Sequence, residues 1–435
     1  MIARDAVDEV AELCAELIRI DTTNSGDLDD PGERGAAEYV MDRLDDVGLT
    51  ATYVESKPRR GNVVLRLPGT DPSLPALLVH SHLDVVPADS TTWSVHPFSG
   101  EIRDGMIWGR GAVDMKNMAA IMLAIARDLA RSGRRPRRDL VFAWLADEET
   151  GGMHGAELLV RDHADLLEGC GEAIGEVGGY SVELAPEVRL YLVENAQKGL
   201  AWLRLAVEGR AGHASMLHAD NVVTELAGAV HRIGDHDWPR LLTPTTERLL
   251  REICDAIGVT FDENDVEATL SRIGPVARFI GSALRNTANP TRLRAGYATN
   301  VVPESARAEI DGRFLPGVEE DFLETIDRLA GPGVRRETID FQPPFEVPFD
   351  TPLVESMLAA LRTQDPTAKI APYCLSAGTD NRVFAKLGIR GYGFVPLRLP
   401  PAFDFAAMFH GVDERVPVDA VQFAVRVLDR LLTTY

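Results

Sequence analysis

The sequence predicts an α/β fold in which a mostly parallel sheet, covered by helices on both faces, is interrupted by a second, α+β domain. Three observations predict it. The chain has 435 residues, more than one hydrophobic core ordinarily serves. Before Glu194, helical periodicities alternate with short β-rich runs, the order that builds parallel sheets. Near Glu194 the texture shifts to strands of alternating character, and helix–strand alternation resumes after the proline-rich stretch FQPPFEVPFDTP. The expected division is 1–197 with 344–435 for the first domain and 198–343 for the insertion.

The opening helix is amphipathic, with Val7, Val10, Leu13, Leu17 and Ile18 on one face. A second helix over 34–47 is closed by Gly48, and β-rich runs follow at 51–54, 62–67 and 76–80. A long helix over 115–132 precedes a strongly apolar strand at 139–146, and another helix is expected over 155–161. In the insertion, 200–208 alternates as a half-buried strand does, and 221–233 is a helix opened by a polar cap. Strands are expected at 295–302 and 306–314, joined through a Val-Pro-Glu turn, then a helix at 319–329 and a strand at 337–341. The prolines of 341–352 mark a hinge. A helix at 353–362, a strand at 391–395 and a helix from Val418 complete the pattern.

The net charge of -22 argues against a nucleic-acid partner, because phosphate binding needs clustered Lys and Arg. The one basic run, Arg131 to Arg138, reads as a solvated connection. No stretch approaches the roughly 18 apolar residues that would span a membrane. The N-terminal residues carry acids and lack a signal-peptide core, so cytoplasm is the expected location. Cys14, Cys170, Cys254 and Cys374 show no paired spacing, which argues against disulfides and a cysteine zinc site.

Five stretches carry the candidate chemistry. In LLVHSHLDVVP (77–87) an apolar strand runs into His82 and Asp84, two apart and so on one face of an extended chain. A metal-bound imidazole usually donates its other N–H to a carboxylate, which suits His82 as ligand and Asp84 as orienter. A structural strand-end His is the competing reading. In IWGRGAVDMKNMAA (107–120), Asp114 is either the N-cap of the following helix or a carboxylate held at a strand end, where open α/β sheets place their sites. In VFAWLADEETGG (141–152), a buried strand ends in Asp147, Glu148 and Glu149. Adjacent acids repel unless they are solvated or hold cations. In a hydrolytic metal site one ligates while its neighbour handles the water proton. Glu176 in EAIGEVGGY (172–180) and His410 in MFHGVDERVP (408–417) complete the set.

Two His and three carboxylates without thiolate suit zinc, cobalt or manganese. In their order, SHLDVVP, GRGAVDMK, ADEETGG, GEVGG and FHGVDE resemble the M20 family of metallopeptidases over essentially the whole chain. That family includes glutamate-type carboxypeptidases, aminoacylases, dipeptidases and the deacylases of arginine and lysine biosynthesis. The resemblance implies a zinc-exopeptidase-like catalytic domain with an inserted lid and dimerisation domain, and two divalent metal ions, zinc before cobalt or manganese. It implies that His82 and Glu176 hold one ion, Glu149 and His410 the other, and Asp114 both, with a cis peptide bond to Met115. Glu148 is then the general base and acid, and Asp84 orients His82. GRAGHASMLHADNVV (209–223) resembles the family's lid motif, in which His213 would polarise the scissile carbonyl across a dimer interface. AGYATNVVPESARAEIDGRFLPG (295–317) makes Asn300 and Arg313 substrate contacts, an ion pair with Asp311 being the other reading of Arg313. In SAGTDNRVF (376–384), Gly378 and Thr379 would receive a substrate carboxylate, and Asp380 is structural. The chain departs from the family pattern at Gly175 and Val177, which flank Glu176, and at Leu217, where relatives commonly carry Pro.

The implied activity is hydrolysis of the amide bond of small peptides or N-acyl amino acids bearing a free carboxylate. A dedicated deacylase of acetylornithine or succinyl-diaminopimelate type is the alternative within hydrolases. A catalytically inactive binding relative would require a lost ligand or base, and none is missing. An oxidoreductase is disfavoured because no glycine-rich fingerprint follows the first strand.

Overall fold

The computed structural model describes residues 4–27, 29–186, 188–273, 280–401 and 403–435. The chain divides into two compact units, one of Met1–Glu194, Val347–Ala371 and Thr379–Tyr435, the other of Asn195–Glu346 and Pro372–Gly378. The sequence-based boundaries at 197/198 and 343/344 compare with 194/195 and 346/347 here. The assignment of 372–378 to the second unit has no signature in the sequence. It follows from pairing: Leu375 O, at the end of the strand Lys369–Leu375, accepts from Lys198 N at 2.9 Å.

The first unit is built on a mixed sheet with a parallel centre. Leu140–Leu145, Ala76–His82, Cys170–Gly175 and Arg390–Gly393 lie side by side and parallel. Gly61–Leu67 and Thr52–Glu55 extend one edge antiparallel, and Val188–Gln197 flanks the other. The central strands are buried on both faces, so their sequences, ALLVHSH and LVFAWL, read as continuous runs with no alternation. On one face Leu78, Val141, Ala143 and Ala173 pack against Ala156, Leu159, Val383 and Phe384. On the other lies the helix Lys116–Ser132, sandwiched with Arg4–Arg19 and Val418–Thr434. Lys116 through Leu129 are all buried, so this helix is enclosed on every side. Trp144 is fully buried, and its indole N–H donates to Ala119 O at 3.0 Å. Trp144→Ala is expected to lower stability by about 3–5 kcal/mol, read as a shift of the urea midpoint. A shift worth under about 1 kcal/mol would show that the sheet–helix seam can collapse around the loss.

A small three-stranded sheet of Glu101–Arg103, Met106–Trp108 and Arg415–Pro417 joins parts of the chain some three hundred residues apart. It matters for the site, because it ties the segment before Asp114 to the segment after His410.

The second unit is an antiparallel sheet in the order Thr287–Ala295, Ser305–Phe314, Gly199–Glu208, Arg335–Gln342. Ala201, Leu203, Leu205 and Val207 point inward against Leu226, Ile233, Phe322 and Ile326 of the helices Val222–Gly234 and Glu319–Ala330. The strand expected at 295–302 is displaced. Pairing runs over Thr287–Ala295 and stops at Gly296, whose φ is 67°. Only Val301–Val302 is extended again, paired with Gly212–His213. The sequence TANPTRLRA hid this strand because it is mostly exposed, with Pro290 at a register shift, as edge strands tolerate. Pro244–Ile257, a helix with Pro at its start and a Thr243–Thr246 capping box, was likewise not anticipated. Among the described residues no helix is long and apolar enough to cross a membrane.

Candidate metal centre

Three adjacent parallel strands end side by side, and each delivers an acid or imidazole just past its carboxyl end, where open sheets place their sites. Ala76–His82 ends on His82, Leu140–Leu145 is followed by Glu148 and Glu149, and Cys170–Gly175 is followed at once by Glu176. Asp114 comes from the loop before Lys116–Ser132. The Asp114–Met115 peptide is cis, the helix begins at Lys116, and no side chain caps it. The capping reading of Asp114 therefore fails, and its carboxylate is available to its neighbours.

That carboxylate is shared between two groups. Asp114 Oδ1 lies 3.1 Å from His82 Nε2, which is 3.4 Å from Glu176 Oε2. Asp114 Oδ2 lies 3.2 Å from His410 Nε2, which is 3.2 Å from Glu149 Oε2. Within each triad the donor atoms all fall within 4.8 Å of one another. Zinc bonds of about 2.0–2.1 Å in a tetrahedron set neighbouring donors about 3.3–3.4 Å apart, close to these spacings. The donors are nitrogen and oxygen only, as borderline divalent cations prefer. Glu149 Oε1 is buried with no hydrogen-bond partner among the described residues, a second oxygen on the same carboxylate. The residues fit two divalent cations bridged by Asp114.

The electrostatics agree. Burial, then the charge of Glu176, pushes the Glu148 carboxyl well above its ordinary range. Burial, then the charge of Asp114, pushes Glu149 up to about 7. Bonds to Asp114 and Glu149 raise His410 to about 10, and Glu176 raises His82 against the opposing effect of its burial. Burial works to raise Asp114, but the His410 and His82 imidazoles overcome it and hold it below the usual carboxylate range. Both imidazoles are raised by the carboxylates around them, so the cluster favours positive charge.

Two buried carboxylates hold the ligand loops. Asp84 accepts the backbone N–H groups of Glu148 and Glu149, each at 3.1 Å. His82 Nδ1 faces Asp84, 3.0 Å from its carbonyl oxygen and 3.4 Å from Oδ1. Nδ1 then carries the proton, and Nε2 is left as the electron-pair donor. Glu414 accepts from Val113 N at 2.7 Å and from Gly111 N and Asp114 N at 3.1 Å. It also pairs with buried Arg110 at 2.7 Å, and Arg110 reaches His410 O at 3.4 Å. Sequence reasoning assigned nothing to Glu414 or Arg110. Their stretches stood out as motifs, but a role as backbone acceptor leaves no local pattern.

The other sequence-derived candidates divide between the units. His213 and Asn300 come together in the second unit, where Ala214 N donates to Asn300 O at 3.0 Å beside the Gly212–His213 ladder. His213 Nδ1 accepts from Ser215 N at 3.3 Å and lies 2.8 Å from Ser215 Oγ, and in the tautomer that suits the backbone donor Nε2 is the nitrogen that donates. Arg313 is held by Asp311, Nε to Oδ1 at 2.7 Å and Nη2 to Oδ2 at 3.1 Å, which matches the ion-pair reading. Thr379 is buried, and its hydroxyl accepts from Asn381 N at 3.2 Å, opening the short helix Asn381–Phe384. Gly378 is half-buried at the boundary between the units. Asp380 is buried, and burial followed by the charge of Glu176 pushes its carboxyl well up.

Known proteins resemble this chain in sequence and in fold. The model of peptidase family M20/M25/M40 matches residues 78–434. Human aminoacylase-1 is 29% identical over 414 residues, covering 92% of this chain and 90% of that protein. The human N-fatty-acyl-amino acid synthase/hydrolase PM20D1 is 30% identical over 382 residues, covering 84% and 75%. In fold, the chain is similar to the M20 family metallo-carboxypeptidase Sso-CP2 from Sulfolobus solfataricus, with TM-score 0.73 and 19% identity over 98% of this chain and 99% of that one. A family match that spans from the His82 strand to the last helix, around a donor set suited to metal, leads to one conclusion: the chain belongs to peptidase family M20/M25/M40 and is a hydrolase of amide bonds.

Proposed function

We propose that this hydrolase cleaves N-acyl amino acids that bear a free carboxylate and an apolar group beside the scissile amide. The carrying observation is Asp114, whose two oxygens face two separate triads with Glu148 on the adjoining loop. In this reading His82 and Glu176 hold one divalent cation, Glu149 and His410 the other, and Asp114 both. Zinc is the ion proposed, with cobalt and manganese as the other choices. Bound there, two cations would polarise the substrate carbonyl and lower the pKa of a water towards neutrality. Glu148 takes the proton of that water and returns it to the leaving amine nitrogen. Asp84 keeps His82 in the tautomer that presents Nε2. His213 donates from Nε2 to the developing oxyanion, as the family's lid histidine does, through a second copy of the chain. Asn300 is kept as a substrate contact, and Gly378 and Thr379 as contacts of the substrate carboxylate. Arg313 is left to its partner Asp311.

Two observations support the apolar group. An apolar wall of Val113, Met115, Tyr180, Val395, Leu397 and Phe405 lies beside Glu176, around a small pocket of about 20 Å³ that Asn117 and Glu176 also line. Aminoacylase-1 and PM20D1, at 29% and 30% identity, are named for acylated amino acids. The test is a turnover screen of N-acyl amino acids and dipeptides with added Zn, Co or Mn. N-acyl derivatives of apolar amino acids are expected to exceed those of Asp or Lys in kcat/KM by at least about tenfold. The reverse order would favour the biosynthetic deacylase.

A further inference from the structure

A buried amide, Asn24, links the ligand strand to the loop of acids, and it lies upstream of every metal motif. The segment Thr22–Asn24 is laid along Leu83–Val85: Asn24 N donates to Val85 O at 2.9 Å, Val85 N to Thr22 O at 3.2 Å, and Thr22 Oγ1 to Leu83 O at 2.7 Å. This places Asn24, 1% exposed, directly behind the His82 end of the strand.

The orientation of its carboxamide is determined by its neighbours. Asn24 Oδ1 accepts from Arg60 Nη2 at 2.9 Å and from Gly26 N at 3.1 Å, and neither of these groups can accept in return. Arg60 is itself buried and held by Glu33 at 2.6 Å. The Nδ2 group therefore faces the other way, 2.9 Å from Asp84 Oδ2, 3.1 Å from Asp147 Oδ1 and 3.1 Å from Thr150 Oγ1. Asp84 carries the N–H groups of Glu148 and Glu149 and faces His82. Asp147, with a left-handed φ of 70°, roots the same loop and accepts from His154 N at 3.0 Å. One uncharged amide with two protons thus bridges two buried carboxylates that would otherwise repel across the gap.

We propose that Asn24 is a positioning residue that sets the separation between the His82 strand end and the Glu148–Glu149 loop, so that both cation sites and the general base depend on it. This rests on the ligand and base roles given above. Partners behind a metal site ordinarily govern its affinity or activity by about 10–100-fold.

The test uses the full chain, stripped with chelator and titrated with Co(II). Affinity is followed by calorimetry, geometry by the visible absorption of cobalt, and turnover is measured on an N-acetyl amino acid. Asn24→Ala is expected to weaken cobalt binding and lower kcat by about 10–100-fold, with KM little changed. Asn24→Asp is expected to be worse than Asn24→Ala, although it has the shape of Asn, because it aims a third acceptor at two carboxylates. A residue that only fills space predicts the opposite order, so Asp milder than Ala overturns the proposal, as does wild-type cobalt affinity in Asn24→Ala. Should Asn24→Asp fail to fold, Asn24→Ser carries the test. Its single hydroxyl proton reaches one carboxylate, so affinity should fall between Asn and Ala, and a value at or below Ala overturns the proposal. Failure of the parent chain itself to bind cobalt or to turn over would instead sink the metal-centre reading, which keeps the two failures apart.

Discussion

Glu148→Gln is expected to keep its metal and lose about 100- to 10,000-fold in kcat, the range a positioned general acid–base ordinarily contributes. The substitution preserves volume and the backbone N–H that Glu148 gives to Asp84, so the loop should hold its place. It removes only the ability to accept and return a proton. KM should change little, because the loss falls on the transition state. Metal content of the purified variant, measured beside its kinetics, separates this from ligand loss. A variant with full metal and parental turnover would refute the role of Glu148. A variant that lost metal would move Glu148 into the ligand set.

Asp114→Asn should have the other large effect, through the opposite route. The carboxylate presents one oxygen to the His82 triad and one to the His410 triad. An amide retains a single oxygen acceptor, and its NH2 would face one triad with the wrong polarity. The expected stoichiometry falls from two cations to one or none. Activity should fall by roughly a thousandfold or more, since losing a cation forfeits several kcal/mol of transition-state stabilisation at about 1.4 kcal/mol per tenfold. A binding readout independent of turnover is available. Added zinc should raise the Tm of the stripped parent chain, because a ligand bound only by the folded state stabilises it. The same addition should raise the Tm of Asp114→Asn by less. Two bound cations in that variant would overturn the bridging role.

How far the sequence reaches depends on the range of the interaction. The parallel centre was legible because strands buried on both faces must be apolar throughout, and LVFAWL can hardly be hidden. His82 and the Glu148–Glu149 pair were legible because each stands at the end of such a strand, a local relation that order along the chain records, whereas Glu176 was named through the resemblance of GEVGG. The failures share a cause as well. The strand Thr287–Ala295 sits at an edge, where packing imposes no apolar pattern. The pairing of Arg313 with Asp311 was one of two polar alternatives that the chain alone could not rank. For Asp114 the chain alone left a helix cap beside the site carboxylate, and the start of the helix at Lys116 removes the cap.

What the sequence determined by itself is therefore the set of local devices: a family of strand-end acids and imidazoles, in an order that specifies metal-dependent amide hydrolysis. Tertiary structure alone decided what aims them. Asn24 meets Asp84 across 60 positions and Asp147 across 123, and Glu414 meets Asp114 across 300. A single buried amide or carboxylate that accepts backbone N–H groups has no periodicity and no neighbouring signal in the chain. Its partners exist only once parallel strands have brought their ends together, which is why the candidate ligands and the orienter Asp84 could be named from the sequence, and Asn24 and Glu414 could not.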